Sequence, residues 1–154
     1  MADLELPRDY VDLLRELADG GVDHLLVGGW AVAVHGYVRA TDDLDVLVRA
    51  TPENAARVYQ ALQRFGAPLE QHGVTEGLFA TEHYGYRMGR KPVLIELLTT
   101  IDGVTFDEAS QNAVTVGVAG VRVPVIGRDA LLTNKRAAGR PKDLADVAGL
   151  EGGE

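Results

Sequence analysis

Apolar residues recur every three to four positions in several segments of the chain, which is the period of an amphipathic helix. The predicted helices cover 7–18, 30–35, 52–65, 128–137 and 141–150. Thr51 and Pro52 support the third of them, because threonine favours the N-cap and proline the first position of a helix. Gly20 and Gly66 follow two of these segments, and glycine commonly ends helices.

Other segments are short, rich in β-branched and aromatic residues and bounded by turn-forming residues, which is typical of strands. They cover 24–27, 44–48, 84–88, 93–98, 114–118 and 121–125. The residues at 89–92 and the Ala119–Gly120 pair predict the turns of two hairpins. The pattern is weakest over 67–90. Because strands and helices are interleaved, we expect a mixed β-sheet with flanking helices, an α+β fold that is α/β by some labels.

Length and composition are those of one globular domain. The chain has 154 residues, 46% of them hydrophobic, and we expect a single domain over 1–154 with its core at about 22–150. It has no cysteine and a formal net charge of −8, which argues against disulfides and against general nucleic-acid binding. No signal peptide is visible, and no apolar run approaches the roughly 18 residues that span a bilayer. We therefore expect a cytoplasmic protein that does not enter a membrane.

Two aspartates stand at the start of the strand predicted for 44–48. Asp43 and Asp45 are two residues apart, so both carboxylates project from one face of the strand, with Cα atoms about 7 Å apart. Like charges at this separation repel each other and are costly to bury. A divalent cation removes the repulsion, and Mg²⁺ commonly binds one or two carboxylates together with substrate phosphates. The alternative is a solvated strand entry in which Asp42 and Asp43 form a turn.

A glycine pair, Gly28 and Gly29, joins the strand at 24–27 to the helix at 30–35. Glycine lets the backbone approach a ligand closely, and the free N–H groups at a helix start favour an anion such as phosphate. The pair is neither a Walker A sequence nor a Gly-x-Gly-x-x-Gly motif. Taken alone, it is more typical of a plain tight turn.

A third carboxylate, Glu96, lies in the middle of the apolar run at 93–98. A charged residue within a buried strand is seldom left without a partner. Glu96 is expected either to complete a three-carboxylate cluster of the kind used in two-metal phosphoryl transfer, or to lie on an edge strand or in a structural salt bridge.

Positive charge is concentrated near the C-terminus, where five bases and one acid fall between Arg128 and Lys142. A cationic wall facing an acidic cluster suits a triphosphate, and the alternative is an ordinary solvated helix face. The histidines have no zinc-ligand spacing, and His35 is expected to pack or cap at a helix end. Trp30 is expected to pack in the core rather than to contact a nucleobase. Ser110 lacks the flanking glycines of a nucleophile elbow.

This order of residues resembles the nucleotidyltransferase superfamily typified by DNA polymerase beta. Its pattern is an apolar strand, Gly-Gly or Gly-Ser, a short helix, two acids on the next strand and a third acid on a later one. Within it, the chain is most similar to small bacterial nucleotidyltransferase-like proteins related to the toxins of abortive-infection systems. Their Arg-x-Thr-x-Asp-Leu-Asp and Lys-x-x-x-x-Arg-x-Lys-Asp-x-x-Asp segments are matched by Arg39, Thr41, Asp43, Asp45, Lys135, Arg140, Lys142, Asp143 and Asp146. Many active members have Ser where Gly29 stands and Asp where Glu96 stands.

The resemblance implies a role for each matching residue. Asp43, Asp45 and Glu96 would be the catalytic and metal-binding residues, with Mg²⁺ or Mn²⁺ as the cofactor. Contacts to the nucleotide phosphates would come from Gly28, Gly29, Arg39, Thr41 and Lys135.

Three functions are consistent with these residues. The first is a metal-dependent nucleotidyltransferase that moves an NMP from an NTP to a hydroxyl acceptor on a protein, an RNA or a small molecule. The second is a catalytically weak nucleotide-binding regulator, or one half of a toxin–antitoxin pair. This function is supported by the absence of a side-chain hydroxyl at Gly29. The third is an antibiotic-modifying nucleotidyltransferase. The NTP is the expected ligand in each, and the acceptor and any partner protein or homodimer stay open.

Overall fold

The computed structural model describes residues 4–152 and contains six α-helices, one short 3-10 helix and six strands in that range. The helices are α1 (Arg8–Asp19), α2 (Gly28–Val34), α3 (Pro52–Phe65), α4 (Phe106–Ser110), α5 (Arg128–Ala138) and α6 (Pro141–Gly152), and the 3-10 helix is Glu76–Ala80. The strands are β1 (His24–Val27), β2 (Asp43–Val48), β3 (Gly85–Arg90), β4 (Val93–Leu98), β5 (Val114–Val118) and β6 (Val121–Val125).

The strands form one mixed sheet in the order β3-β4-β2-β1-β6-β5. The two outer pairs, β3–β4 and β5–β6, are antiparallel hairpins, and β1 is antiparallel to β2. The pairs β2–β4 and β1–β6 are parallel. The central strands β2 and β1 are therefore flanked on both sides. The α+β fold expected from the sequence is confirmed.

Helix α1 shows why the apolar pattern forms this structure. Its periodic residues are completely buried and pack against α3 and the sheet: Tyr10, Leu13, Leu14 and Leu17. Helix α3 begins as predicted, because the Thr51 side chain accepts a hydrogen bond from the backbone N–H of Asn54 and Pro52 is its first residue. Gly66 ends it with a left-handed φ of +96°.

Several element boundaries differ from the sequence-based expectation. Helix α2 begins at Gly28, two residues earlier than predicted, so the glycine pair belongs to the helix itself. The turn of the β3–β4 hairpin is Lys91–Pro92 alone, because the backbone of 89–90 continues the ladder of β3. Helix α6 continues to Gly152, two residues beyond its predicted end.

Two short helices were not predicted. Helix α4 is held by a capping box, in which the Thr105 side chain accepts from the backbone of Glu108 and the Glu108 side chain accepts from the backbone of Thr105. The 3-10 helix in the weakly patterned segment carries Phe79, whose ring meets Tyr84 and Tyr86 edge-on at centroid distances of 5.4 and 6.4 Å. In the described part of the chain, no helix is both long and apolar enough to cross a membrane.

Candidate functional site

The register of three adjacent strands brings the predicted acids together. Asp45 on β2 is the pairing partner of Glu96 on β4 and, on its other side, of Val27 at the end of β1. Asp43 lies two residues before Asp45 and shares its face. All three carboxylates line one cleft with a cavity volume of about 430 Å³. Because β4 pairs with strands on both sides, an edge-strand position for Glu96 is wrong.

The acids create a strongly negative field at this end of the sheet. Burial, reinforced by the charges of Glu96 and Asp43, raises the pKa of Asp45 to about 6. Tyr10 reports the same field from the neighbouring helix, since burial and the nearby aspartates raise its pKa to about 12. Its hydroxyl donates a hydrogen bond to the carbonyl of Asp42 at 2.9 Å and so fixes the chain just before β2.

Gly28 stands directly against this acidic cluster. Its φ of +69° lies in the left-handed region, and a Cβ at this position would overlap Oδ2 of Asp45 and lie 3.0 Å from its Cβ. Only glycine meets both conditions without moving the aspartate. The Asp45 carboxylate therefore requires a glycine at position 28. The absence of a side chain lets the backbone of Gly28 pack directly against Asp45.

Gly29 is covered by the loop that precedes β2. A Cβ at Gly29 would lie 2.8 Å from Thr41 Oγ1, 3.0 Å from Thr41 Cβ and 3.2 Å from Arg39 Nη1. Thr41 Oγ1 has only long hydrogen bonds with the backbone of Asp43, at 3.3 and 3.4 Å. The space that a side chain at position 29 would fill is already taken by a threonine hydroxyl, so a serine does not fit here without movement of the loop.

Lys135 lies in an ion-pair network rather than free in the cleft. Its side chain is buried, and Nζ lies 3.2 Å from Asp143 Oδ1 and 3.1 Å from Asp146 Oδ2. Arg39 joins the same network through two hydrogen bonds to Asp146, at 2.6 and 2.9 Å. Arg140 completes it with a contact of 2.7 Å to Asp143. Three cations and two carboxylates thus form one cluster, which we call the α6 network.

The charges of the α6 network are stabilised by one another. Burial alone would raise the pKa of Asp146, but hydrogen bonds from Arg39 and Lys135 outweigh it and hold this pKa below its usual range. The pKa of Asp143 is likewise lowered, because hydrogen bonds from Arg140 and Lys135 outweigh the effect of burial. Both carboxylates therefore stay ionised and neutralise most of the positive charge beside them.

Glu96 has a cation partner of its own. Arg87 is its register partner on β3, and Arg87 Nη2 lies 3.4 Å from Glu96 Oε2. The Arg87 side chain is 64% exposed, so it can leave this contact at little cost. The salt-bridge alternative for Glu96 is therefore present together with its place in the acidic cluster.

The donor set fits a divalent cation, although within residues 4–152 no group of three acidic, histidine or cysteine side chains is arranged to hold a metal as it stands. Asp43 Oδ1 is buried and has no hydrogen-bond partner among the described residues. A buried carboxylate oxygen without a partner is costly, and a bound cation would satisfy it. Magnesium takes one or two carboxylates and completes its shell with phosphate and water, so Asp43 and Asp45 suffice as protein ligands.

The remaining singled-out residues have structural roles. His35 ends α2 and donates from Nε2 to the carbonyl of Ile126 at 2.7 Å, as expected for a helix-end residue. His24 is buried, donates from Nδ1 to the carbonyl of Val22 at 2.8 Å, and has a pKa lowered by burial. Trp30 packs edge-on against Tyr10 and the core, as predicted.

Several cleft residues were missed or left without a role by the sequence. Arg87 belonged to the weakly patterned segment, and its charge alone gave no sign that it faces Glu96. Arg140, Lys142 and Asp143 line the cleft beside the predicted residues. The late Lys-x-x-x-x-Arg-x-Lys-Asp-x-x-Asp segment pointed to these residues in the sequence. It did not show which of its charged side chains form ion pairs with one another.

The fold is shared with solved nucleotidyltransferases. The lincosamide antibiotic adenylyltransferase LnuA, bound to lincomycin, is 14% identical over 95% of this chain and 96% of that one, with a TM-score of 0.59. A putative nucleotidyltransferase from Thermotoga maritima is 13% identical over 97% and 98%, with a TM-score of 0.57. ANT(2")-Ia in complex with adenylyl-2"-tobramycin is 14% identical over 94% and 86%, with a TM-score of 0.55. At these identities the likeness shows the shared fold.

Sequence comparison identifies the family. No curated protein sequence matches the chain significantly. A family model described as nucleotidyl transferase of unknown function (DUF2204) matches residues 7–151, nearly the whole described chain, and the protein therefore belongs to this nucleotidyltransferase family.

Proposed function

We propose that this protein moves an NMP from an NTP to a hydroxyl group of an acceptor and releases pyrophosphate, with Mg²⁺ or Mn²⁺ as the cofactor. The single observation that carries the proposal is the meeting of Asp43, Asp45 and Glu96 on adjacent strands in one cleft, directly beside the glycine pair. Membership of a nucleotidyltransferase family supports the reaction class. The partnerless Asp43 oxygen supports the cation.

Asp43 and Asp45 would hold the cation, and Glu96 would contribute on the side where the acceptor enters. When bound, a divalent cation withdraws charge from phosphate oxygens, lowers the pKa of a coordinated hydroxyl and steadies the leaving pyrophosphate. The carboxylates must be ionised for this role, so the proton that Asp45 retains up to a pH of about 6 has to leave first.

The transfer step needs little covalent chemistry from the protein. The acceptor oxygen forms a bond to the α-phosphorus while the bond from that phosphorus to the bridging oxygen of pyrophosphate breaks. The acceptor proton passes to the Glu96 carboxylate and from there to solvent. Positioning of the two reacting oxygens and stabilisation of charge account for most of the acceleration.

The phosphate side of the cleft is formed by Gly28, Gly29, Arg39, Thr41 and Lys135. The backbone of Gly28 lies against Asp45, so the backbone N–H groups of the glycine pair would be close to the NTP phosphates that share the cation with the carboxylates. The Thr41 hydroxyl beside Gly29 donates to the carbonyl of Asp43 at a distance of 3.3 Å, and exchange of this long hydrogen bond for one to a phosphate would cost little. Arg39 and Lys135 are held rigidly by the α6 network, which preorganises them but leaves them little net charge.

A small hydroxylated molecule is the acceptor that we favour. The chain and LnuA, a lincosamide antibiotic adenylyltransferase, cover each other almost completely, and ANT(2")-Ia is solved in complex with adenylyl-2"-tobramycin, which supports an acceptor of this kind. The cleft of about 430 Å³ has room for a small acceptor beside the reacting phosphate. Antibiotic modification is the most specific form of this proposal, and a regulatory or toxin–antitoxin role is its rival.

The test is transfer of label from each of the four NTPs, carrying radioactive α-phosphate, into the small-molecule, RNA and protein fractions of a cell lysate. Reactions contain Mg²⁺ or Mn²⁺ and either the wild-type protein or the Asp43→Ala/Asp45→Ala variant. The matched control is Asp19→Ala/Glu70→Ala, which removes two exposed carboxylates that lie outside the cleft.

Label that requires Asp43 and Asp45 but survives in the control would support nucleotidyl transfer, and the labelled fraction would identify the acceptor class. Equal label from the Asp43→Ala/Asp45→Ala variant would contradict the catalytic assignment. Absence of label in every fraction, from folded protein that still binds NTP, would favour the regulatory role.

A further inference from the structure

Among residues 4–152, one cation that lines the cleft has no ion pair. Five basic side chains line it, and four of them contact carboxylates: Arg39 with Asp146, Arg87 with Glu96, Lys135 with Asp143 and Asp146, and Arg140 with Asp143. The fifth is Lys142. Among residues 4–152 it has no salt bridge and no side-chain hydrogen bond, and it is exposed.

Lys142 is placed to act on the same ligand as the acids. It lies in the first turn of α6, next to Asp143, and lines the cleft that also holds Asp43 and Asp45. A lysine in this position would gain from any anion that enters between it and the acids.

The α6 network explains why this lysine differs from its neighbours. Arg39, Lys135 and Arg140 share two ionised carboxylates, so these five residues together carry a net charge of about +1 spread over three cations. An NTP brings about four negative charges, and a metal ion compensates two of them. Lys142 adds a full positive charge on a flexible stem with three donors, which can follow a phosphate during reaction.

We propose that Lys142 binds the terminal phosphates of the NTP and the departing pyrophosphate, and thereby selects triphosphates over monophosphates. The inference rests on the proposed nucleotidyl transfer and names the residue that supplies the uncompensated charge in it. Lys135, paired with Asp143 and Asp146, joins α5 to α6 on the phosphate side of the cleft, and Lys142 makes the contact to the terminal phosphates.

The test measures binding without turnover, by calorimetric titration with Mg²⁺ and no acceptor. The ligands are the preferred NTP, the matching NMP and inorganic pyrophosphate, and the proteins are wild type, Lys142→Ala, Lys142→Arg and Lys91→Ala. Lys91 is the matched control, because it is also an exposed lysine but lies in the turn of the β3–β4 hairpin, outside the cleft lining.

Loss of a charge-assisted hydrogen bond predicts that Lys142→Ala binds NTP and pyrophosphate about tenfold or more weakly, while NMP binding changes less than about threefold. Lys142→Arg should recover most of the affinity, and Lys91→Ala should match wild type.

Three outcomes would overturn the proposal in different ways. If Lys142→Ala binds NTP as tightly as the wild type does, and the wild-type protein transfers label, then Lys142 is not part of the phosphate site and the proposed nucleotidyl transfer is unaffected. Equal weakening of NTP and NMP would place the contact at the α-phosphate or the nucleoside. Failure of the wild-type protein to bind any NTP would overturn the proposed function itself.

Discussion

Arg39 and Asp146, 107 residues apart in the chain, are joined by two hydrogen bonds, Nε to Oδ1 at 2.6 Å and Nη2 to Oδ2 at 2.9 Å. This pair fastens the loop before β2 to the C-terminal helix. Tyr37 of the same loop packs closely against Gly149 of α6, where an added Cβ would be 2.5 Å from ring atoms. Helix α6 therefore belongs to the wall of the cleft, although it lies at the end of the chain.

Substitution of Asp146 by Asn is expected to destabilise the protein by about 3 kcal/mol, because it leaves Arg39 without a charged partner and the buried Lys135 with Asp143 alone. The comparison is Glu151→Gln, which breaks an ion pair of the same 2.6 Å length between half-exposed side chains on the same helix. This second change should cost less than about 1 kcal/mol. Urea unfolding measures both, and equal losses would contradict a structural role of the α6 network.

The raised pKa of Asp45 makes the metal-free protein lose stability as the pH rises. The unfolded state releases this proton near 3.8 and the folded state near 6, so stability falls between these values and is constant above them. Asp45→Asn removes the effect and should stabilise the metal-free protein by about 2 kcal/mol at pH 7 and hardly at all below pH 4.

Urea unfolding from pH 4 to 8, with a chelator present, measures this difference. Asp19→Asn on the exposed end of α1 is the control, and its unfolding profile should run parallel to that of the wild type. Parallel plots of unfolding free energy against pH for Asp45→Asn and wild type would contradict a raised pKa of Asp45 in the folded protein. Asp45→Asn should also lose nucleotidyl transfer, so this variant gains stability and loses activity.

Gly29→Ala is expected to destabilise the protein by about 1–3 kcal/mol through contact with the loop. Its new Cβ would lie 2.8 Å from Thr41 Oγ1 and 3.0 Å from Thr41 Cβ, so rotation of the hydroxyl alone does not relieve the contact. Thr41→Ala removes that oxygen, so the double variant should be more stable than the sum of the two single changes predicts. A double-mutant cycle by urea unfolding measures this coupling, and strict additivity would refute the contact.

The control for this cycle is Gly77→Ala, in the 3-10 helix, where an added Cβ meets nothing within 4 Å. It should change stability by less than about 0.5 kcal/mol.

Arg87→Ala should strengthen binding of Mn²⁺ to the nucleotide-free protein by about threefold to tenfold. The reason is that Arg87 neutralises Glu96 and repels a cation placed between Glu96 and Asp45. Titration followed by the paramagnetic signal of free Mn²⁺ gives the affinity directly. Arg90→Ala, an exposed arginine on the same strand outside the cleft lining, should behave as wild type. Weaker binding by Arg87→Ala would show that Arg87 supports the acids instead of competing for them.

The sequence predicted the central part of the site because the positions of these residues depend on neighbours that are close in the chain. The strand period places Asp43 and Asp45 on one face, and the cap residues Thr51 and Pro52 position α3, from contacts within a few residues. Glu96 was also found from the sequence, since a charge inside an apolar run needs a partner. The assignment of catalytic and phosphate-binding roles stays a prediction.

The α6 network could not be predicted in the same way. The pairing of Arg39 with Asp146 joins residues 107 apart, and no periodic pattern links them. The family resemblance indicated Lys135 as a phosphate contact, while the structure shows that it is already paired with two carboxylates. Arg87 was missed for a similar reason, since its partner depends on the register of β3 against β4.

The β5–β6 hairpin lies at the edge of the sheet opposite the β3–β4 hairpin, and none of the described residues from 103 to 133 lines the cleft. Its turn, Ala119–Gly120, is exposed and has left-handed φ values of +48° and +83°. Because the chain contains no cysteine, a single one introduced in this turn would be a unique chemical handle. A fluorophore or surface tether attached there would allow acceptor capture to be followed on immobilised molecules, with the nucleotide cleft left open.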